Sequence, residues 1–331
     1  CNFIVPQTQP GGANRNIEPW VRQTGAPAGW FTSPQLRTGP GDGTGSQSNT
    51  YQFQTPELQS GNTYSSTDDF MESNGNFRTA SGGVWQQSRT NPPLAQSCGL
   101  DLAILLDVSG SVAPAIDQLK GATDTIVDAL VGTPSRVALF SFASDTPAEG
   151  AGPNEPALVP VSSQGGADTV KAIYAPWTAG GGTNWDRGIQ AVADADPAYE
   201  LLLVITDGNP TYFSSPPDGN GSDTRFREIE QGIFSANAVK DEGTRIAAVG
   251  VGSGVAGSTG LNLRALSGPN LYPASPPDYF QTADYDQAAA VIRELALGQC
   301  EGSLNVVKQL VPAGTTGEDV TGAVPAGPGW E

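Results

Sequence analysis

The chain has 331 residues, room for two domains on ordinary length grounds, and carries 34 acidic against 16 basic side chains for a formal charge of −18. A polyanion of this kind is a poor nucleic-acid binder and offers no basic patch to anionic lipid, and no stretch approaches the ~18 apolar residues of a membrane span. There is no histidine, which excludes Ser-His-Asp and Cys-His catalysis and the commonest zinc ligand, and the cysteines at 1, 98 and 300 form no CxxC motif.

Residues 1–97 are polar, with Gly, Asn, Gln, Ser and Thr between short aromatic runs (GWFTS, YQFQT, GGVWQQ) that predict short strands and long loops. Trp20, Trp30 and Trp85 are open to two readings, a sugar-binding platform or the sparse core of a small β domain. From Leu100 the texture changes. LDLAILLD is a near-continuous apolar run, as in a strand covered on both faces. In the following APAIDQLKGATDTIVDALVG, the residues Ile116, Leu119, Ile126, Val127 and Leu130 fall at helical spacing and Gly132 closes the helix.

RVALFSFAS, ALVPVSS, YELLLVITD and RIAAVGVG read as further strands. ADTVKAIYAPW, TNWDRGIQAVADA, TRFREIEQGIFSANAVKDEG and DQAAAVIRELALG read as helices. Strands alternating with helices predict an α/β fold with a doubly wound, mostly parallel sheet over 98–300. In 301–331, SLNVVKQLVPAG predicts one strand before a Gly/Pro-rich remainder, the expected start of a further β domain. The opening and closing residues give the chain the look of a piece of something longer.

Asp107 ends the first buried strand in DVSGSV, with Ser109 and Ser111 at alternate positions, so three side-chain oxygens can converge. Asp207 ends the YELLLVITD strand. Between them GGGTN carries Thr183 on flexible glycines. Open α/β sheets bind ligands at the carboxyl ends of their strands, so two carboxylates and three hydroxyls are expected at one rim. With neither nitrogen nor sulfur among them, such a set suits a hard cation, Mg2+ first, with Mn2+ or Ca2+ as alternatives. Two acids do not quench the charge of the ion, which stays electrophilic towards an outside oxygen ligand such as a carboxylate.

DVSGS, GGGTN and ITDGNPT, in that order on that strand pattern, resemble the von Willebrand factor type A domain over about residues 99–299. That family carries a metal-ion-dependent adhesion site built from a DxSxS motif, a Thr and a later Asp. The resemblance implies Asp107, Ser109, Ser111, Thr183 and Asp207 as its five members here, with the serines ligating directly and the aspartates acting largely through water or hydrogen bonds. It further implies a disulfide between Cys98 and Cys300, since the two ends of such a domain lie close together and some extracellular members join them. SLNVVKQLVPAG with AGPGW resembles the opening strand of SpaA-type or collagen-binding-protein-B-like domains of Gram-positive pili, where a Lys forms an intramolecular isopeptide bond. Lys308 is the candidate here, with a lysine snorkelling at a sheet edge as the alternative.

The function these features imply is a non-enzymatic, extracellular adhesion module of a surface or pilus protein, gripping a host or matrix protein ligand through the metal. Acidity, few lysines and widely spaced cysteines suit that location. Two rivals stand beside it: an intracellular subunit-docking protein of the same fold, and a carbohydrate-binding or glycosidase surface protein, for which no paired-carboxylate motif is visible.

Overall fold

The computed structural model describes residues 2–71, 80–94, 99–196, 198–274, 276–282, 309–314 and 322–325. Cys1, Cys98, Cys300, Lys308 and the helix expected at 286–298 lie outside the described residues. Residues 1–299 form one compact unit and 300–331 another. In the second, β16 (Gln309–Leu310) pairs antiparallel with β17 (Val324–Pro325).

The first unit opens with six short strands: β1 (Trp20–Arg22), β2 (Trp30–Phe31), β3 (Gln35–Pro40), β4 (Gln47–Thr50), β5 (Gln52–Gln54) and β6 (Ser88–Arg89). They pair antiparallel as β1 with β5, β2 with β6 and β3 with β4. GWFTS and YQFQT supply β2 and β5 as expected, whereas GGVWQQ is irregular apart from its flank in β6. The longest of these strands, QLRTGP, has no alternating apolar pattern and was not foreseen.

The α/β body follows in the expected order. Its elements are β7 (Asp101–Asp107), α1 (Ile116–Ala129), β8 (Arg136–Phe142), β9 (Glu155–Pro160), α2 (Gln164–Tyr174) and α3 (Trp185–Ala193). They continue with β10 (Leu201–Thr206), the small β11 (Tyr212–Phe213), β12 (Asp218–Gly219) and β13 (Asp223–Thr224), then α4 (Phe226–Asp241), β14 (Arg245–Val251), α5 (Leu261–Leu266) and β15 (Tyr279–Thr282). The sheet order is β15-β14-β10-β7-β8-β9, parallel throughout except for β9, which runs antiparallel at one edge. ALVPVSS thus forms an edge strand that begins two residues earlier than read, and its mixed exposure reflects one uncovered face. The edge strand β15 and the short α5 were not foreseen, because neither carries a full period of apolar residues.

Alternation along β7 divides the core. Leu102, Ile104 and Leu106 pack on the face covered by α1 and α2, and Ala103 and Leu105 on the face covered by α3 and α4. Six of the seven β7 residues are buried, so this strand is the spine of the sheet. A third core joins the N-terminal strands to the body: Leu36, Tyr51, Phe53 and Met71 pack against Phe226, Ile229 and Ile233 of α4 and Ala265 of α5, with Trp85 at its margin. Of the three tryptophans, Trp85 packs against the third core, as the core reading expects. Trp85 stacks near Tyr51 and Phe53, Trp30 lies beneath the Arg89 guanidinium, and Trp20 is exposed. Among the described residues no helix is long and apolar enough to cross a membrane.

Candidate metal centre

β7 has β8, the next strand of the body, on one side and β10 on the other, so the chain order reverses at β7. Connections leave this point in opposite directions and open a crevice beyond the carboxyl ends of β7 and β10. The two strands run parallel with Leu106 opposite Ile205, which brings the residues that follow them to one level.

Asp107 closes β7 and is fully buried. Its Oδ1 accepts a hydrogen bond from the Ser109 N–H at 2.9 Å and its Oδ2 one from the Thr206 hydroxyl at 2.6 Å. Ser109 is extended (φ −64°, ψ 169°) and leads into a 3-10 turn over Gly110–Ala115, whose Ala113, Pro114 and Ala115 open the stretch read from sequence as helix. Its Oγ lies 3.1 Å from Ser111 Oγ, and the Ser111 hydroxyl donates to Asp207 Oδ1 at 2.7 Å. Thr183 Oγ1 and Ser111 Oγ flank Gly208, where a Cβ would stand 3.9 Å from the former and 3.8 Å from the latter. All five residues read from the sequence therefore meet at this rim. Ser111 is exposed while Ser109 and Thr183 are buried, so the cluster opens to solvent on one side.

The loop bearing Thr183 is less free than its glycines imply. Gly180 N–H donates to Val108 O at 2.9 Å, and Gly110 N–H to Gly181 O at 2.9 Å, lacing it to the DVSGS turn. Gly181 has φ +78°, a conformation that L side chains rarely adopt, and a Cβ there would meet Ser144 Oγ at 2.8 Å. Thr183 N–H donates to Thr211 Oγ1 at 3.1 Å, and its carbonyl accepts from the N–H groups of Thr211 and Tyr212 at 2.8 and 3.0 Å. Asn184 caps α3, its Oδ1 accepting from Arg187 N–H at 3.0 Å while its Nδ2 donates to Ser144 O and Ser214 O.

The electrostatics of the rim are strained. Burial, with repulsion from Asp207 added to it, pushes the Asp107 carboxyl up to about 7, against hydrogen bonds from Ser109 and Thr206 that favour its charge. Burial raises Asp207 as well. Neither aspartate forms an ion pair with a cationic side chain among the described residues. A buried and a half-buried carboxylate that repel one another, with hydroxyl oxygens beside them and no cationic partner among the described residues, fit a divalent cation. Among the described residues no group of three or more His, Cys, Asp or Glu side chains stands together as a metal cage. An ion at this rim therefore has to draw on Ser109, Ser111 and Thr183 beside the two acids.

Thr206 and Thr211 belong to the site but were not singled out from sequence. Both lie inside the quoted ITDGNPT, directly before Asp207 and two residues after Asn209, so a reading of the whole motif as a hydrogen-bonded loop could have found them.

A family model described as the von Willebrand factor type A domain matches residues 101–294, more than half the chain. The chain belongs to that family. Among solved structures, the pilus adhesin SpaC from Lactobacillus rhamnosus GG aligns at 15% identity over 65% of this chain and 32% of its own, with a TM-score of 0.47. This chain thus spans about a third of that adhesin. The von Willebrand domain of the type V pili tip protein Mfa5 from Porphyromonas gingivalis aligns at 11% identity over 64% of this chain and 99% of its own, with a TM-score of 0.48. Proximal thread matrix protein 1 from the mussel byssus, in a form with a zinc-occupied metal-ion-dependent adhesion site, aligns at 18% identity over 62% of this chain and 47% of its own, with a TM-score of 0.43. No curated protein matches the chain.

Proposed function

We propose that the chain is an extracellular, non-enzymatic adhesion module that holds a divalent cation with Asp107, Ser109, Ser111, Thr183 and Asp207 and grips a protein ligand there. The observation that carries this reading is the convergence of those five residues at the switch point of the sheet, with a buried Asp107 and a half-buried Asp207 that have no cationic partner among the described residues. Such an ion, Mg2+ in the first instance and Mn2+ or Ca2+ as alternatives, supplies a positive charge to an oxygen ligand from outside. The chain's own residues fix where that happens. Asp107, locked by Ser109 and Thr206, sets the floor of the site, and Ser111 and Asp207 set its solvent edge.

A partner carboxylate is the proposed ligand, since a hard cation contacted directly by neutral hydroxyls favours a charged oxygen donor from outside. A bacterial surface or pilus protein is the setting in which this reading makes sense, with Cys98–Cys300 as a disulfide and Lys308 as an isopeptide donor. The test is binding of the purified chain to immobilised matrix proteins in Mg2+ and in EDTA. Capture that needs Mg2+ and fails for folded Asp107→Ala is expected; equal capture by the folded variant contradicts the reading.

A further inference from the structure

A loop from outside the α/β body reaches both halves of the centre. Beyond β3, which pairs antiparallel with β13, the chain turns at Gly41 and Asp42 directly beside the ITDGNPT segment. Gly41 O accepts from Asn209 N–H at 3.0 Å, and Gly41 N–H donates to Ser222 O at 2.8 Å. Asn209 follows Asp207 by two residues, and its own side chain is fixed: Nδ2 donates to Gly254 O and Thr259 O, and Oδ1 accepts from Asn262 Nδ2. Asn262 in turn clasps the backbone of Arg37 in β3, accepting from its N–H at 2.9 Å and donating to its carbonyl at 2.8 Å. Asn209 and Asn262 are both buried.

The second contact is steric. A Cβ at Gly41 would lie 2.5 Å from the Thr211 methyl, with no φ in the left-handed region to complicate the substitution. Thr211 Oγ1 is the acceptor that holds the Thr183 N–H. Gly41 is therefore hydrogen-bonded to the arm that carries Asp207 and packed against the side chain that sets Thr183. Its lack of a side chain is what lets both arms close to their observed separation.

We infer that the Pro40–Asp42 turn of the N-terminal region is a positioning element of the metal centre, with Gly41 and Thr211 as the residues through which it sets the spacing between Asp207 and Thr183. This rests on the metal-binding reading above. It assigns the N-terminal strands a part in the site that the α/β body cannot supply alone. Residues that orient ligands without touching the ion typically alter metal affinity by about 10- to 100-fold when changed.

The experiment is a titration of the whole chain with Mn2+ alone, read by electron paramagnetic resonance, beside thermal melting in EDTA. Gly41→Ala is expected to bind Mn2+ about 10-fold more weakly than wild type. Gly41→Ala/Thr211→Ser, which removes the clashing methyl and keeps the hydroxyl for Thr183, is expected to recover most of that loss. Tyr51→Phe weakens the same N-terminal region without touching the Gly41–Thr211 contact, by removing the hydrogen bond that Tyr51 donates to the buried Glu230, and is expected to lower the melting temperature with wild-type Mn2+ affinity. Thr211→Val removes the acceptor without adding bulk and gives a second route should Gly41→Ala not fold; it too is expected to weaken Mn2+ binding.

Wild-type affinity in folded Gly41→Ala or Thr211→Val overturns the inference alone. So does a Tyr51→Phe loss as large as that of Gly41→Ala, or failure of the double variant to recover. Absence of Mn2+ uptake by the wild type overturns the metal-binding reading and the inference with it.

Discussion

The Ser111 hydroxyl donates to the Asp207 carboxylate at 2.7 Å, joining the turn after β7 to the turn after β10 across the open edge of the centre. This hydrogen bond spans 96 residues of sequence and places a neutral donor between two acids that burial has already driven towards their protonated forms. The rim is thus held by hydrogen bonds that favour the charged carboxylates, against desolvation that opposes them. A cation that replaces these protons relieves the repulsion.

Asp107→Asn follows from that balance. The charged carboxylate is buried beside Asp207, so its neutral isostere is expected to melt higher than wild type in EDTA at pH 8, by on the order of a few kcal/mol in stability. The same variant is expected to lose divalent-cation binding. Paired melting curves with and without Mg2+ check both, and a lower melting temperature in EDTA would contradict the electrostatic account of the rim.

The raised Asp107 also fixes the pH behaviour of the metal-free protein. Its folded-state pKa of about 7 stands above the ordinary aspartate value of 3.8. The folded state therefore holds the extra proton between those values, and this group's contribution to stability is full below about 4 and lost as pH rises through 7. Cation binding must displace that proton, so affinity for Mg2+ is expected to fall by up to about tenfold for each pH unit below 7. Calorimetric titration across pH 5.5–8.5, a window set about that pKa, measures it.

Lys240 has the opposite sign. Buried in the last turn of α4, it donates from Nζ to Arg89 O and Ser267 O, and Nζ lies 5.6 Å from the Phe31 ring. Burial lowers its pKa to about 7, with Arg245 adding to the shift and Asp278 opposing it. The unfolded chain then holds more protons between 7 and 10.5, so stability from this group rises with pH across that window and is lost as pH falls through 7. Urea unfolding of wild type and Lys240→Met in EDTA between pH 7 and 10 is expected to show a rising slope that the variant flattens.

Much of this was legible because β7, β8, β10 and β14 are covered on both faces and so read as apolar runs, while the α1 and α4 stripes follow helical spacing. The five candidate residues could be read as converging because each lies within a few residues of the end of such a strand or the start of a helix. What stayed hidden depends on contacts between distant residues. β3 has no pattern of its own and is fixed by β4, β13 and Asn262. The glycines of GGGTN suggested freedom because sequence does not display the four backbone hydrogen bonds that fasten Val108, Gly180, Gly181 and Thr183.

Asn184→Ala removes the cap of α3 and leaves the carbonyls of Ser144 and Ser214 without their donor. The expected cost is about 1–3 kcal/mol, with metal affinity lowered because Thr183 immediately precedes the lost cap. Denaturant melts and Mg2+ calorimetry on the same sample test it; an unchanged midpoint would contradict the capping role.

One divalent cation is proposed to sit among Asp107, Ser109, Ser111, Thr183 and Asp207. Anomalous diffraction from crystals of the chain soaked in Mn2+ locates the ion directly. A single peak at bonding distance, about 2.0–2.3 Å, from the Ser109 and Ser111 hydroxyls is expected. A protein that binds Mn2+ in solution yet shows the peak elsewhere, with this rim empty, would contradict the account.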